Sequence, residues 1–276
     1  MPTSPSPRRG AEQRAAARPA RSIWPLVLLI FVLAVLVVAV SALPASIVTH
    51  LLPPAVHAED FSGSLWHGSA GRITVNARDA GALEWRLHPA SLLHWRVAAD
   101  LHWVKGGFVL DGAAGLAGDA LTAADVRGGG PIEDLRDFGW ARGWRGTARV
   151  QVKELKAVIA VADANLQSAV GDISVSDLAS PQVAAGANLG GYSLHFNDPA
   201  MAPDADATAV LADTGGPLEL DATIRFSAKE RRGILSGTVM ARADAPAELR
   251  AELDSIGQLH ARDPQGRIPV DLEFTL

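Results

Sequence analysis

Beyond residue 61, apolar and polar side chains alternate with a period of two, and that rhythm admits little besides strands with one wet face. In ALEWRLH, Leu83, Trp85 and Leu87 fall on one side and Glu84, Arg86 and His88 on the other. HWRVAADLHWV sets Trp95, Val97, Ala99, Leu101 and Trp103 against His94, Arg96, Asp100 and His102. PLELDATIRFS separates Leu218, Leu220, Ala222, Ile224 and Phe226 from Glu219, Asp221, Thr223, Arg225 and Ser227. The closing VDLEFTL points Val270, Leu272, Phe274 and Leu276 inward. The pattern predicts a mainly β body over 61–276, a curved and mostly antiparallel sheet. Gly106–Gly107 and the stretch AKERRGI at 228–234, with Gly233 at a positive φ, read as hairpin turns. A faint echo between FSGSLW at 61–66 and LSGTVM at 235–240 suggests two related halves, 61–150 and 151–276. One segment breaks the rhythm: in DAPAELRAELDSIG, Leu249, Leu253 and Ile256 recur at helical spacing, with Asp244 placed to cap the start and Gly257 the end. PASLLH at 89–94 adds one helical turn. The regions 112–146 and 197–215, rich in Gly, Ala and Asp, read as loops or irregular edges.

Ahead of this body, Ile23–Leu43 runs for 21 residues without a charge. As a helix it would reach roughly 31 Å, about the hydrocarbon thickness of a bilayer. Trp24 stands at one end, where an interfacial aromatic belongs, and Pro25 is tolerated in a first turn. Arg8, Arg9, Arg14, Arg18 and Arg21 all precede it against one acid, Glu12, which orients the N-terminus to the cytoplasm and the body outward. The alternative, a cleaved signal peptide with VSA at 40–42 as its cleavage site, calls for a shorter apolar core. The expected organisation is a disordered basic tail over 1–22, a transmembrane helix over 23–43, and a linker with a helical turn over 44–60. The chain's net charge of −5 leaves about −9 beyond that tail, which argues against nucleic acid as a partner. The absence of cysteine excludes disulfides, thiol catalysis and thiolate-bound zinc.

EDFSGSLWHGSA at 59–70 places Trp66 between Gly63 and Gly68. Read as a strand, it sends Phe61, Gly63 and Leu65 to one face with His67, and Trp66 to the other with Ser62 and Ser64. Glycine inside a strand marks a bend or a close backbone approach, and a large aromatic can cover a neighbouring strand's glycine. Trp66 is then a packing wedge; a ligand-stacking platform is the rival reading. The eight histidines form no metal signature, and His94 and His102 would stand about 26 Å apart along one strand. DADAT at 204–208 begins like a calcium loop, but Ala209 takes the place of the required glycine. GYSLH at 191–195 ends in histidine where a nucleophile elbow needs glycine. No catalytic, cofactor or metal residue is expected.

The order of SGSLWHG at 62–68, LEWRLHPASLL at 83–93, VGDISVSDL at 170–178, LGGYSL at 189–194 and GGPLELDATIRF at 215–226 resembles the type II secretion system protein N family. LSGTVMARADAPAELRAEL at 235–253 and DPQGRIPVDLEFTL at 263–276 extend the resemblance to the end of the chain. Its motif residues here are Gly63, Leu65, Trp66, Gly68, Trp85, Pro89, Gly216, Pro217 and Leu218; Asp221 departs from it, where a glycine would be usual. The resemblance implies a single-pass inner-membrane protein of a Gram-negative bacterium whose periplasmic domain serves the export of folded proteins through an outer-membrane secretin. It implies other secretion subunits, and the secretin itself, as partners, no cofactor, and no catalytic residue to carry over. Two other readings stand beside it. An AsmA-like envelope protein would use the apolar sheet face as a lipid groove, and a periplasmic hydrolase would need polar groups converging in a pocket.

Overall fold

Alternation becomes architecture through register. The computed structural model describes residues 42–139, 141–159, 164–198, 206–227, 232–258 and 262–275. Among them, thirteen strands follow one another in a single antiparallel sheet whose spatial order is the sequence order. The first six are β1 (Val56–Gly63), β2 (His67–Val75), β3 (Arg78–Leu87), β4 (Val97–Lys105), β5 (Phe108–Ala117) and β6 (Ala120–Pro131). The long pair β7 (Arg145–Ile159) and β8 (Ala164–Ala179) forms the middle. β9 (Gly191–Asp198), β10 (Ala207–Gly215), β11 (Leu218–Ser227), β12 (Arg232–Ala241) and β13 (Ile268–Thr275) complete the sheet. Residues Ala42–Leu276 form one unit, with no break between 150 and 151. The expected membrane span lies outside the described residues except for Ala42 and Leu43, and no described helix is long and apolar enough to cross a membrane.

Two cross-strand rows run through the register. An apolar row passes from Phe61 through Ala70, Leu83, Trp103 and Leu110 to Gly128. It continues through Val150, Ile173, Leu194, Leu211, Ala222 and Gly237 to Val270. One residue away on every strand, a mostly polar row runs from Ser62 through Glu84, His102, Asp111, Arg127, Asp172 and His195 to Asp271. A one-residue slip in any strand would exchange the rows, so each strand pins its neighbours' register. Bulges at Asp111–Ala113, Val152–Glu154 and Asp213–Gly215 interrupt the ladder, and such insertions bend a sheet.

The apolar face is covered at one end. There the 3-10 turn η2 (Ile132–Phe138) drops Ile132 and Leu135 onto Phe108, Ala141 and Ala148, with Trp103, Phe138 and Trp144 around them. Trp103 meets Phe108 edge-on at 5.9 Å. Leu249 of the helix α2 (Ala247–Gly257) packs on Leu189, Tyr192 and Leu218, and Trp144 also joins this cluster. The core is thin. Among the described residues, Ile268 and Ser180 are the largest side chains that are fully buried, so cohesion rests on the ladders and on half-buried cross-strand pairs.

Several expectations are corrected. The described parts of the regions 112–146 and 197–215 are mostly not loops: they carry most of β5, all of β6 and β10, and η2. Their Gly and Ala have low strand propensity, but small residues are what a sheet requires where backbones crowd, and context overrides propensity. Gly233 is no turn residue; it pairs with Phe226 inside β12. Trp95 leaves the apolar stripe for the loop after the one-turn helix α1 (Pro89–Leu92), where it has φ 56° and is 93% exposed. On α2, Leu249 and Leu253 are buried but Ile256 is 47% exposed, and Pro246, not Asp244, precedes the first turn. Leu272 keeps the apolar side it shares with Val270 but is 57% exposed, on a strand at the sheet's margin. Ahead of the sheet, Ala45–Leu51 forms the 3-10 turn η1, and β1 opens at Val56 rather than Phe61.

Candidate functional site

The motif residues gather at opposite ends of the strands. Gly63 and Gly68 are paired across the β1–β2 turn, and Gly63 adopts φ 79° there. A Cβ on Gly68 would meet the Trp85 ring at 2.6 Å. The aromatic covering that glycine is therefore Trp85, its cross-strand partner, and not Trp66, because Ser64–Trp66 is turn rather than strand. The indole Nε1 of Trp85 donates to the Leu65 carbonyl at 2.9 Å, and the Leu87 amide donates to the Trp66 carbonyl at 2.8 Å. Pro89 opens α1 just beyond, its missing N–H harmless in a first turn.

Gly216 and Pro217 form the β10–β11 turn at the other end, and Leu218 opens β11. Arg242 donates from Nη1 to the carbonyls of Gly216 (2.8 Å) and Leu218 (3.0 Å), and from Nη2 to Asp213 at 2.7 Å. Asp213 is 11% exposed and also accepts the Leu220 amide at 3.1 Å. Burial raises its pKa, but the Arg242 and Leu220 hydrogen bonds outweigh that and hold it below the ordinary carboxylate value. Tyr192, paired with Asp213, donates its hydroxyl to the Leu189 carbonyl at 2.8 Å. Burial, reinforced by the Asp213 charge, pushes its pKa up to about 12. Because the chain has a single tyrosine, a phenolate absorbance titration reads this site alone. The expected curve stays flat through pH 10 while the protein is folded and rises near 12. Since the fold favours the neutral phenol, its contribution to stability is intact below pH 10 and is lost as pH climbs toward 12. A midpoint near 10 in the folded protein would contradict this packing.

A third cluster was not anticipated. Lys105 is 5% exposed, beneath η2, with Nζ 2.8 Å from Asp79, 2.9 Å from Asp137 and 2.9 Å from the Asp79 carbonyl. Burial pushes its pKa down, but the two carboxylates more than offset that and raise it. The Phe138 ring lies 5.9 Å below the ammonium.

The polar face presents three His–Asp pairs, His88–Asp100 at 2.9 Å, His102–Asp111 at 2.6 Å and His195–Asp172 at 2.7 Å. Each is a cross-strand or near-strand contact, and among the described residues no serine hydroxyl is hydrogen-bonded to any of these rings. An open groove of about 810 Å³ runs along this face, lined by Ser69, Glu84, Arg86, Asp100, His102 and Asp111. Trp85 and Leu101 are its larger apolar members, and it lies open where a small-ligand pocket is usually enclosed. Among the described residues, no three His, Asp or Glu side chains are placed to share a metal ion. In DADAT, residues 204 and 205 lie outside the described residues, and Thr208 is held by Asp198 at 3.0 Å.

A family model for protein N of the type II secretion system (T2SS) matches residues 54–271, most of the chain. No curated protein and no solved structure matches.

Proposed function

The chain belongs to the type II secretion system protein N family, and from that premise we propose that it is a non-catalytic inner-membrane subunit helping folded proteins pass from the periplasm across the outer membrane. The observation that supports this best is the open sheet. β1 and β13 each have an outer side with no strand partner among the described residues. Such edges accept a strand from another protein, and pockets between alternate side chains can set the choice of partner. Glu59 and Asp60 on β1 and Asp271 and Glu273 on β13 are exposed, which discourages indiscriminate edge pairing. The partners are other secretion subunits in the inner membrane or periplasm, together with the outer-membrane secretin. Residues 23–43 hold the body there as a single membrane span, with the N-terminus in the cytoplasm.

Deleting the gene and following normally secreted proteins tests the reading. The expected result is their accumulation in the periplasm, reversed by a plasmid copy. Normal secretion accompanied by altered membrane lipids would overturn it in favour of lipid handling.

A further inference from the structure

Exposed large apolar residues gather at the end of the sheet opposite η2 and α2. On the α1 loop Leu92 is 47% exposed, Leu93 83% and Trp95 93%. Directly behind them, Val97, Leu116 and Leu121 pair across β4, β5 and β6 on the apolar face, each 39–45% exposed. The loop is not slack. The Ser91 carbonyl accepts the amides of His94 (3.0 Å) and Arg96 (3.2 Å), and Ser91 Oγ accepts from Ala98 at 3.2 Å. Trp95, at φ 56°, occupies a conformation an indole-bearing residue rarely adopts, and this fixed loop holds it outward.

The same end receives the chain from its 21-residue uncharged run. Leu43, the last residue of that run, accepts the Leu65 amide at 2.8 Å, and Pro44 bridges to Ser64. Trp66, next in line, accepts from Leu87, one residue before the α1 loop begins. Residues 43 and 44 are thus held beside the strand ends from which the α1 loop springs.

We infer that Leu92, Leu93 and Trp95, backed by Val97, Leu116 and Leu121, seat this end of the sheet in the surface of a lipid bilayer. Two leucines and a tryptophan beside His94 and Arg96 are the composition of an interfacial contact, with apolar bodies inward and polar tips toward the headgroups. The inference rests on the reading of residues 23–43 as an uncleaved span. Its consequence is orientation: the strands stand up from the membrane, and the Arg242 and Lys105 clamps face away from it.

The chain has no cysteine, so single labels can be placed cleanly in the full-length protein. Leu93→Cys, Trp95→Cys, a control Gln265→Cys at the far end, and Leu33→Cys within the uncharged run would each carry an environment-sensitive fluorophore. The proteins would be reconstituted in vesicles of phosphatidylethanolamine and phosphatidylglycerol doped with nitroxide-labelled lipid. Quenching at positions 93 and 95 several-fold above that at 265 is the expected result. Strong quenching at 33 with none at 93 and 95 would overturn the seating while leaving the span intact. No quenching at 33, 93 or 95 would overturn both. Disulfide cross-linking between two Trp95→Cys chains without nitroxide quenching would assign the patch to a second copy and refute the membrane contact.

Discussion

The Gly129→Ala variant is expected to lose most of the stability of the sheet. Gly129 has φ 154° near the end of β6, a region open essentially to glycine alone. A Cβ there would stand well inside contact distance of the Ala148 carbonyl oxygen and 3.0 Å from the Arg149 Cα. Gly130 is in the same condition on the other side, its Cβ 2.5 Å from both the Gly107 oxygen and the Phe108 Cα. These obstacles are backbone atoms in two ladders, so relief means breaking the pairing of β5 or β7 with β6. Phe108 and Ala148, the residues that would shift, belong to the main core cluster. Backbone strain together with lost ladder contacts puts the cost at about 3–5 kcal/mol, a large part of an ordinary domain's stability. The matched control is Gly118→Asn, at φ 62° with nothing within 4 Å of its Cβ, expected to cost roughly 1 kcal/mol or less. Thermal unfolding of the full chain in detergent, followed by circular dichroism, compares the two. Equal melting temperatures for both variants would mean that β6 does not run so tightly between its neighbours.

That run of glycines also marks where the sequence stops being readable. Strands with clean alternation, such as Leu83–Trp85–Leu87 and Leu218 through Phe226, could be assigned to one face of a sheet from spacing alone, and the register sets Leu83 and Ala222 in one row. GAAGLAG and VRGGGP carry no such rhythm, because a backbone that must pass close to both neighbours has no room for the side chains that produce one. Trp95 shows the opposite failure: its parity is right for the apolar stripe, but the fixed turn at Ser91 lifts it out. The aromatic that covers Gly68 is Trp85 on the neighbouring strand, since which ring meets a glycine depends on register rather than on nearness in sequence. The two clamps did leave a signal. Lys105 follows Trp103 on the apolar parity of β4, and Asp213 follows Leu211 on that of β10. A charge on the buried side of a strand needs a partner, and that partner lies in an element packed over the same end. What alternation cannot supply is the partner's identity, because Asp137 and Arg242 are distant in sequence and lie outside the strands.

Lys105→Met should destabilise the body by about 2 kcal/mol, by an amount that depends on pH in a specified way. Removing one member of a buried ion pair costs several kcal/mol when the remaining charge is sealed from water. Here Asp79 and Asp137 are 55% and 44% exposed and can rehydrate, so the figure is discounted. Methionine keeps most of the packing against Phe138, which isolates the charge. The hydrogen bond from Lys105, then that from the Gly81 amide, holds the Asp79 carboxyl below its ordinary pKa of 3.8. A depressed carboxylate contributes stability above its unfolded-state value and loses it as pH falls through the folded one. Lys105 is shifted the other way, above 10.5, so its contribution is whole below that value and disappears as pH rises through the folded one. The difference in melting temperature between the parent chain and Lys105→Met should therefore form a plateau between about pH 4 and pH 10 and shrink at both extremes. Asp79→Asn should remove much of the acid limb, because it leaves Lys105 only Asp137 as a charged partner and no longer titrates. A difference that stays constant from pH 3 to pH 11 would show that Lys105 acts through packing alone, and η2 would then be held to the sheet by Ile132 and Leu135 without help from charge.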